Sequence, residues 1–282
     1  MPEKPDEVRD ETPEAELEEE HAGSRMPFLG HLTELRGRLM KAGIAVFILF
    51  VAAFFFKEQI YQLLKAPLAP HLPAGSKLIY TSPQELFFTY MKVSFLAAVV
   101  AASPVIFYQI WRFISPGLYE RERKMAWPFV IISSLLFISG AVFCYLVVFP
   151  FAFAFFMSLA TDEIVPMLKV NEYLSFSSSL LFLFGLTFET PLVLYFMAKL
   201  GIVNAGKLRK NRRYAILIIF VVAAVATPTP DVITQILMAA PLMLLYEFSI
   251  LLIARAERQK TLAEQAAEAA EAAAEHGEEK SA

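Results

Sequence analysis

Cysteine is almost absent from this chain. The only one among 282 residues, Cys144, sits inside an apolar run, so neither a disulfide framework nor a cysteine metal site is available, and redox chemistry has little to work with. Histidine is nearly as scarce: His21 and His276 lie in the tails, His31 just before the first apolar segment and His71 in a loop. No span contains one, which excludes axial histidine haem ligation between spans. There is no nucleophile–base pair, no glycine-rich phosphate loop and no ligand set at metal spacing, so an enzyme has little support and no cofactor is expected. A fixed-period internal repeat is missing too. The N-terminus lacks the basic region and small-residue cleavage site of a secretory signal, so the first hydrophobic segment is expected to stay as an anchor. Charged residues make up only 19% of the chain. Net charge is -3, with acids crowded into the two ends and bases into particular loops, and no nucleic-acid partner is expected.

What the chain does have is hydrocarbon: 57% hydrophobic residues, 26 Phe and a mean hydropathy of +0.52 mark an integral, all-α membrane protein. Four apolar stretches, Leu39–Phe56, Leu86–Phe107, Trp127–Phe149 and Leu174–Ala198, are long enough to cross roughly 30 Å of hydrocarbon. The remaining apolar sequence, Tyr214 to Ala254, is broken by "TPTPD" at 227 to 231, because Pro228 and Pro230 remove donors and bias their predecessors away from helix. The fifth segment, Tyr214–Ala226, reaches only about 20 Å and falls short of a crossing. The sixth, Val232–Ala254, is expected to be interrupted by Pro241 and Glu247 and so to act as a second short helix.

Lysine and arginine set the orientation. Arg25, Arg36, Arg38 and Lys41 precede or open the first span; Arg112, Arg121, Arg123 and Lys124 separate the second from the third; Lys199, Lys207, Arg209, Lys210, Arg212 and Arg213 separate the fourth from the fifth. Arg255, Arg258 and Lys260 follow the sixth, whereas the opposite loops hold only Lys57, Lys65, Lys77 and Lys169. Six transmembrane helices with both termini cytoplasmic fit that asymmetry. The expected domains are an acidic, disordered cytoplasmic tail over 1–25, a six-helix membrane domain over 26–258 and an Ala/Glu-rich cytoplasmic tail over 259–282, the last a solvated, fraying helix. In the long outside loop, Ile60, Leu63 and Leu64 are spaced like one face of a short interfacial helix, punctuated by Pro67, Pro70 and Pro73.

One residue defies its surroundings. Glu189 lies among Phe184, Phe188 and Leu192 in the fourth span, where a charge at bilayer centre costs roughly 2.5 to 3.5 kcal/mol. Pro191 follows closely and can kink the helix, freeing a carbonyl. Two readings stand: a buried polar group satisfied by Thr187, Ser177 or Gln235, or an acid facing a hydrated groove beside helices too short to span. Thr227, Thr229 and Gln235 form a second intramembrane polar cluster, and Asp231 can cap the sixth segment. Lys92, inside the second span, either snorkels outward or pairs with a carboxylate.

Ordered across the membrane region are "HLTELRGRL" (31 to 39), "KAPL" (65 to 68), "SPVIFYQIWRFISPGLYERERK" (103 to 124), "YLVVFPFAF" (145 to 153), "YLSF" (173 to 176), "FGLTFETP" (184 to 191) and "TPTPDVITQ" (227 to 235). In this set the chain resembles the TatC family of the twin-arginine protein translocase, over about Met26 to Arg258. It departs from the family near Asp231, where Thr-Pro-Thr-Pro-Asp replaces the usual Thr-Pro-Pro-Asp, so either Thr227 or Thr229 takes the family's threonine position.

The resemblance implies a multi-pass receptor in the bacterial inner (cytoplasmic) membrane. Such proteins bind twin-arginine signal peptides and, with the single-span partners TatA and TatB in a larger complex that includes further copies of the receptor, export folded proteins on the proton motive force. It puts the signal-peptide-binding acids at Glu34 and Glu122 and a docking seam for partner helices at Thr227, Thr229 and Gln235. It also marks Pro67 and Asp231 as loop positions. The chemistry suits the role, since a carboxylate pairs bidentately with a guanidinium fork. The plain reading of Glu34 is an i, i+4 pair with Arg38, and of Glu122 a solvated loop charge. An ion-coupled small-solute transporter, with Glu189 as its intramembrane proton site, is the alternative. A purely structural membrane subunit, indifferent to all three acids, is a further rival.

Overall fold

A computed structural model of the chain describes residues 13–73, 77–114, 126–161, 166–226 and 232–279. Among these the structure is helical, apart from turns and a single bridge between Ile79 and Lys169. Helix is the expected outcome, because a bilayer interior offers the backbone no water and each segment must satisfy its own amides.

Helix α1 (Pro13–Phe55) carries the first apolar segment and is followed by the short α2 (Lys57–Lys65). Then come α3 (Pro83–Ile114), α4 (Ala126–Phe143), a π-helical turn at Cys144–Val148 and α5 (Phe149–Ser158). The π turn immediately precedes Pro150, which cannot donate to the carbonyl one turn back. Helices α6 (Val170–Phe188) and α7 (Thr190–Lys199) are two halves of the fourth span, and α8 (Ala205–Lys210) leads into α9 (Arg212–Ala226) and α10 (Val232–Glu279). Five stretches are long and apolar enough to cross a membrane: Leu32–Phe55, Pro83–Ile114, Trp127–Ser158, Val170–Lys199 and Thr234–Ala269. Helix α9, 15 residues long, is not among them.

Two expectations change. Pro241 and Glu247 do not interrupt the sixth segment: α10 runs unbroken through both, with Met238, Ala239 and Leu242 buried beside the proline. The proline forfeits one hydrogen bond, and packing on both sides keeps the helix going. Helix α1 begins at Pro13, and α10 runs on to Glu279 through the Ala/Glu-rich stretch whose composition favours helix. In α2, Ile60 and Leu64 pack on the core, but Leu63 points away, 59% exposed. The carbonyls of Leu63 and Leu64 accept hydrogen bonds from the Tyr145 and Tyr173 hydroxyls, at 2.8 and 2.6 Å. These bonds tie α2 down as a cap over the bundle, engaging two carbonyls of its last turn.

The core lies between α3, the α4–α5 helix and α6, around Val93, Cys144, Phe149, Leu174, Leu180 and Phe184, with Ala223 of α9 and Met238 of α10 closing it. Helix association in lipid gains nothing from the hydrophobic effect and relies on close contact. Gly140 supplies it: a Cβ there would sit 2.4 Å from the Phe184 carbonyl oxygen. Gly185 similarly lies against the Phe137 ring. At the other end of the bundle Trp111, Phe129 and Phe196 form a three-ring cluster, with centroids 4.5 to 5.2 Å apart, that joins α3, α4 and α7. Helix α1 has no buried residue over Leu32–Phe55 and leans on α3, as in the Phe54–Phe87 contact at 6.4 Å.

Because a backbone carbonyl cannot rotate away as a ring can, Gly140→Ala is expected to destabilise the bundle by about 1 to 3 kcal/mol, and Gly185→Ala by less. Gly43→Ala, with nothing within 4 Å, should be neutral. Thermal unfolding of the three variants in detergent checks the order.

Candidate functional site

Glu34 sits near the base of the first span, on the α1 face whose next turn presents Arg38. The guanidinium Nε donates to Glu34 Oε1 at 3.0 Å and Nη2 donates to the same oxygen. The expected i, i+4 pair is therefore present. The side chains are 36% (Glu34) and 15% (Arg38) exposed, so the carboxylate reaches solvent while the arginine is tucked against the helix. Such a pair adds about 0.2 to 0.5 kcal/mol to a helix, a hold weak enough for a competing guanidinium to displace. Glu122 lies outside the described residues, as do Thr227, Thr229 and Asp231.

Glu189 occupies the joint between α6 and α7. Helix α6 ends at Phe188, Glu189 keeps helical angles in a turn, and α7 restarts with Pro191 in its first turn. Pro191 cannot donate to the Thr187 carbonyl, so the joint is a proline break, as the sequence suggests. The side chain is buried, only 7% exposed. None of the three residues expected to satisfy it does so. The Thr187 hydroxyl donates to the Phe184 carbonyl at 3.1 Å and the Gln235 amide to the Phe220 carbonyl at 3.0 Å, while Ser177 Oγ makes no hydrogen bond. The groups facing Glu189 come from α4 instead: the Ser133 hydroxyl and the Phe137 backbone amide. Even so, neither Oε1 nor Ser133 Oγ closes a hydrogen bond. The carboxyl group is thus held between packed helices with unused bonding capacity, an arrangement that ordinarily costs about 1 to 3 kcal/mol.

Gln235 ties the first turn of α10 to the middle of α9, so the short helix is held to its neighbour at that end. The opposite end is clasped more heavily. Arg212 Nη2 donates to Glu247 Oε2 at 2.6 Å, the Tyr246 hydroxyl donates to the Leu208 carbonyl at 2.9 Å, and the Ala205 amide donates to Glu257 Oε1 at 3.1 Å. No local pattern discloses the Arg212–Glu247 pair, since its members stand 35 residues apart. Opposite charges at equal depth on two helices of one hairpin were the only clue. Pro67 lies in the turn between α2 and a 3₁₀ turn at Ala69–His71, flanked by the buried Leu64 and Leu68. Among the described residues no three His, Cys, Asp or Glu converge as a metal site.

Residues 30–241 match the family described as "Sec-independent protein translocase protein (TatC)". A protein of that name from Desulforapulum autotrophicum is 51% identical over 227 residues, covering 80% of this chain and 84% of the relative. Another, from Escherichia coli K12, is 41% identical over 224 residues, covering 79% and 86%. Among solved structures, "Crystal Structure of Twin Arginine Translocase Receptor- TatC" superposes with a TM-score of 0.72 at 42% identity, covering 80% of this chain and 99% of that one. The same receptor in the detergent DDM gives 0.71 at 42% identity, covering 79% and 99%.

Glu189→Leu, which keeps the volume and removes the unsatisfied carboxyl, is expected to leave thermal stability in detergent unchanged or raised. A loss above about 2 kcal/mol would instead show the carboxyl anchoring α4 to the α6–α7 joint.

Proposed function

The chain belongs to the TatC family, and from that membership we propose that it is the signal-peptide receptor and core of the twin-arginine translocase. As a TatC protein it is a multi-pass membrane component of the Sec-independent protein translocase. In the proposed reading it sits in the bacterial cytoplasmic membrane with both termini inside and six helices in the bilayer, α9 being the short one. A tail over 1–25 and another over 259–282 flank a membrane domain over 26–258. Twin-arginine peptides dock on Glu34 and Glu122, partner helices of the TatA and TatB type dock near Thr227, Thr229 and Gln235, and Glu189 serves where an incoming helix meets the core. Folded cargo crosses on the proton motive force, with further copies of the chain in the working complex, and the protein catalyses no covalent chemistry.

The observation that carries this reading is the family match over residues 30–241; the Glu34–Arg38 pair is the local contact its spacing predicts, and it leaves the carboxylate partly open to solvent, compatible with guanidinium recognition. An arriving Arg-Arg pair replaces one guanidinium by another, which preserves the charge-assisted bonds and needs no new desolvation. Family membership favours this reading over the small-solute transporter, whose uptake would survive loss of Glu34.

Glu34→Ala or Glu122→Ala is expected to weaken binding of a twin-arginine peptide by roughly tenfold or more, the scale of one hydrogen bond to a charged group, without lowering thermal stability. Photocrosslinking of the peptide at both positions, with an Arg→Gln control peptide, measures it. Unchanged crosslinking in both variants overturns the assignment.

A further inference from the structure

At the end of the bundle opposite Glu34, a groove of about 980 Å³ opens between the end of α1, the start of α3 and the start of α6. Its walls are Phe50, Phe88, Met91 and Phe95, and its rim is polar, with Thr81, Ser82, Lys92 and Asn171. Lys92 is exposed there, nine residues into α3. Its ammonium donates to Asn171 Oδ1 at 2.8 Å and to Ser175 Oγ at 3.1 Å, both neutral. It makes no ion pair among the described residues, and an ammonium carries three donors, so one N–H is left over. Two carboxylates, Glu85 and Glu172, line the same groove, together with a second cation, Lys169, and each has its own partners there. Glu85 accepts from the Thr81 amide and hydroxyl at 2.7 and 3.1 Å and from the Asn171 amide at 3.3 Å, while Glu172 pairs with Lys169 at 3.4 Å.

We propose that this groove binds one anionic phospholipid from the surrounding leaflet, with its phosphate on Lys92 and an acyl chain along Phe88 and Phe95. Asn171 is the second residue of α6, so the Lys92 side chain has climbed toward the helix ends, where headgroups lie, and left its stem on apolar surface. The required ligand joins an anion to a hydrocarbon chain, and such a lipid does both. A second transmembrane helix fits the groove poorly. Helices approach closely through small residues, whereas phenylalanine rings wall this groove and neither Gly nor Ala lines it. A free phosphate would leave the apolar walls unused.

Native mass spectrometry of the full chain in detergent with equimolar phosphatidylglycerol and phosphatidylcholine tests the assignment. The wild type should retain phosphatidylglycerol preferentially. Lys92→Met should lower that preference about fivefold, the scale of one basic residue against an anionic surface. Lys92→Arg should preserve it, and so should Lys57→Met, which removes a cation at the same end that stacks over Phe54 outside the groove. Circular dichroism and thermal unfolding establish that Lys92→Met is folded. An equal lipid ratio in wild type and folded Lys92→Met overturns the proposal. So does competition by glycerol 1-phosphate, which would make the site one for a free anion. A loss of single-span partner capture with an unchanged lipid ratio overturns it as well, by making the groove a helix site.

Discussion

A bilayer interior contains no water to complete a hydrogen bond, and that single constraint organises this protein. It makes every long segment a helix, and it makes each departure from helical bonding a place where a side chain or a neighbouring element must act. The α2 cap ends against two tyrosine hydroxyls, α9 receives the Gln235 amide, and the π turn takes up the mismatch before Pro150. Glu189 stands out because it lies at one of these departures, the Pro191 break, yet brings more bonding capacity than its neighbours use.

Close packing sets where such departures can occur. With no hydrophobic gain between helices, α4 and α6 are held by the direct approach at Gly140 and Gly185, which brings Ser133 and Phe137 onto the face opposite Glu189. The same contact that stabilises the pair therefore encloses the carboxyl group. Had α4 stood farther off behind larger residues, Glu189 would have opened toward lipid, and a proline-broken span carrying an acid there would insert poorly. Burial against α4 is thus compatible with keeping an acid at that depth, at the cost of leaving one of its oxygens without a hydrogen bond.

The sequence revealed what depends on local pattern. Hydropathy located the long spans and the short α9, and i, i+4 spacing disclosed the Glu34–Arg38 pair. Neither could reveal partners far apart in the chain. Ser133 is 56 positions before Glu189, Asn171 is 79 after Lys92, and Glu247 is 35 after Arg212. Choosing Thr187, Ser177 and Gln235 as partners for Glu189 followed composition, yet each of those side chains is turned elsewhere by helix phase. Pro241 misled for a related reason: a proline signals one lost hydrogen bond, but whether the helix ends there depends on packing on both sides, which single-chain periodicity does not contain.

The two ends of the bundle handle charge in opposite ways. At the Glu34 end, acid and base already pair, and the neighbouring clasp of Arg212 with Glu247 uses the same chemistry to fasten α9 to α10. Exchange of one guanidinium for another at a partly exposed carboxylate changes little in total energy, so under the proposed function this pair alone would supply little specificity. At the Lys92 end the cation hydrogen-bonds two neutral acceptors and, among the described residues, forms no ion pair. One end therefore pairs its charges within the chain, while at the other a lysine rests on neutral acceptors.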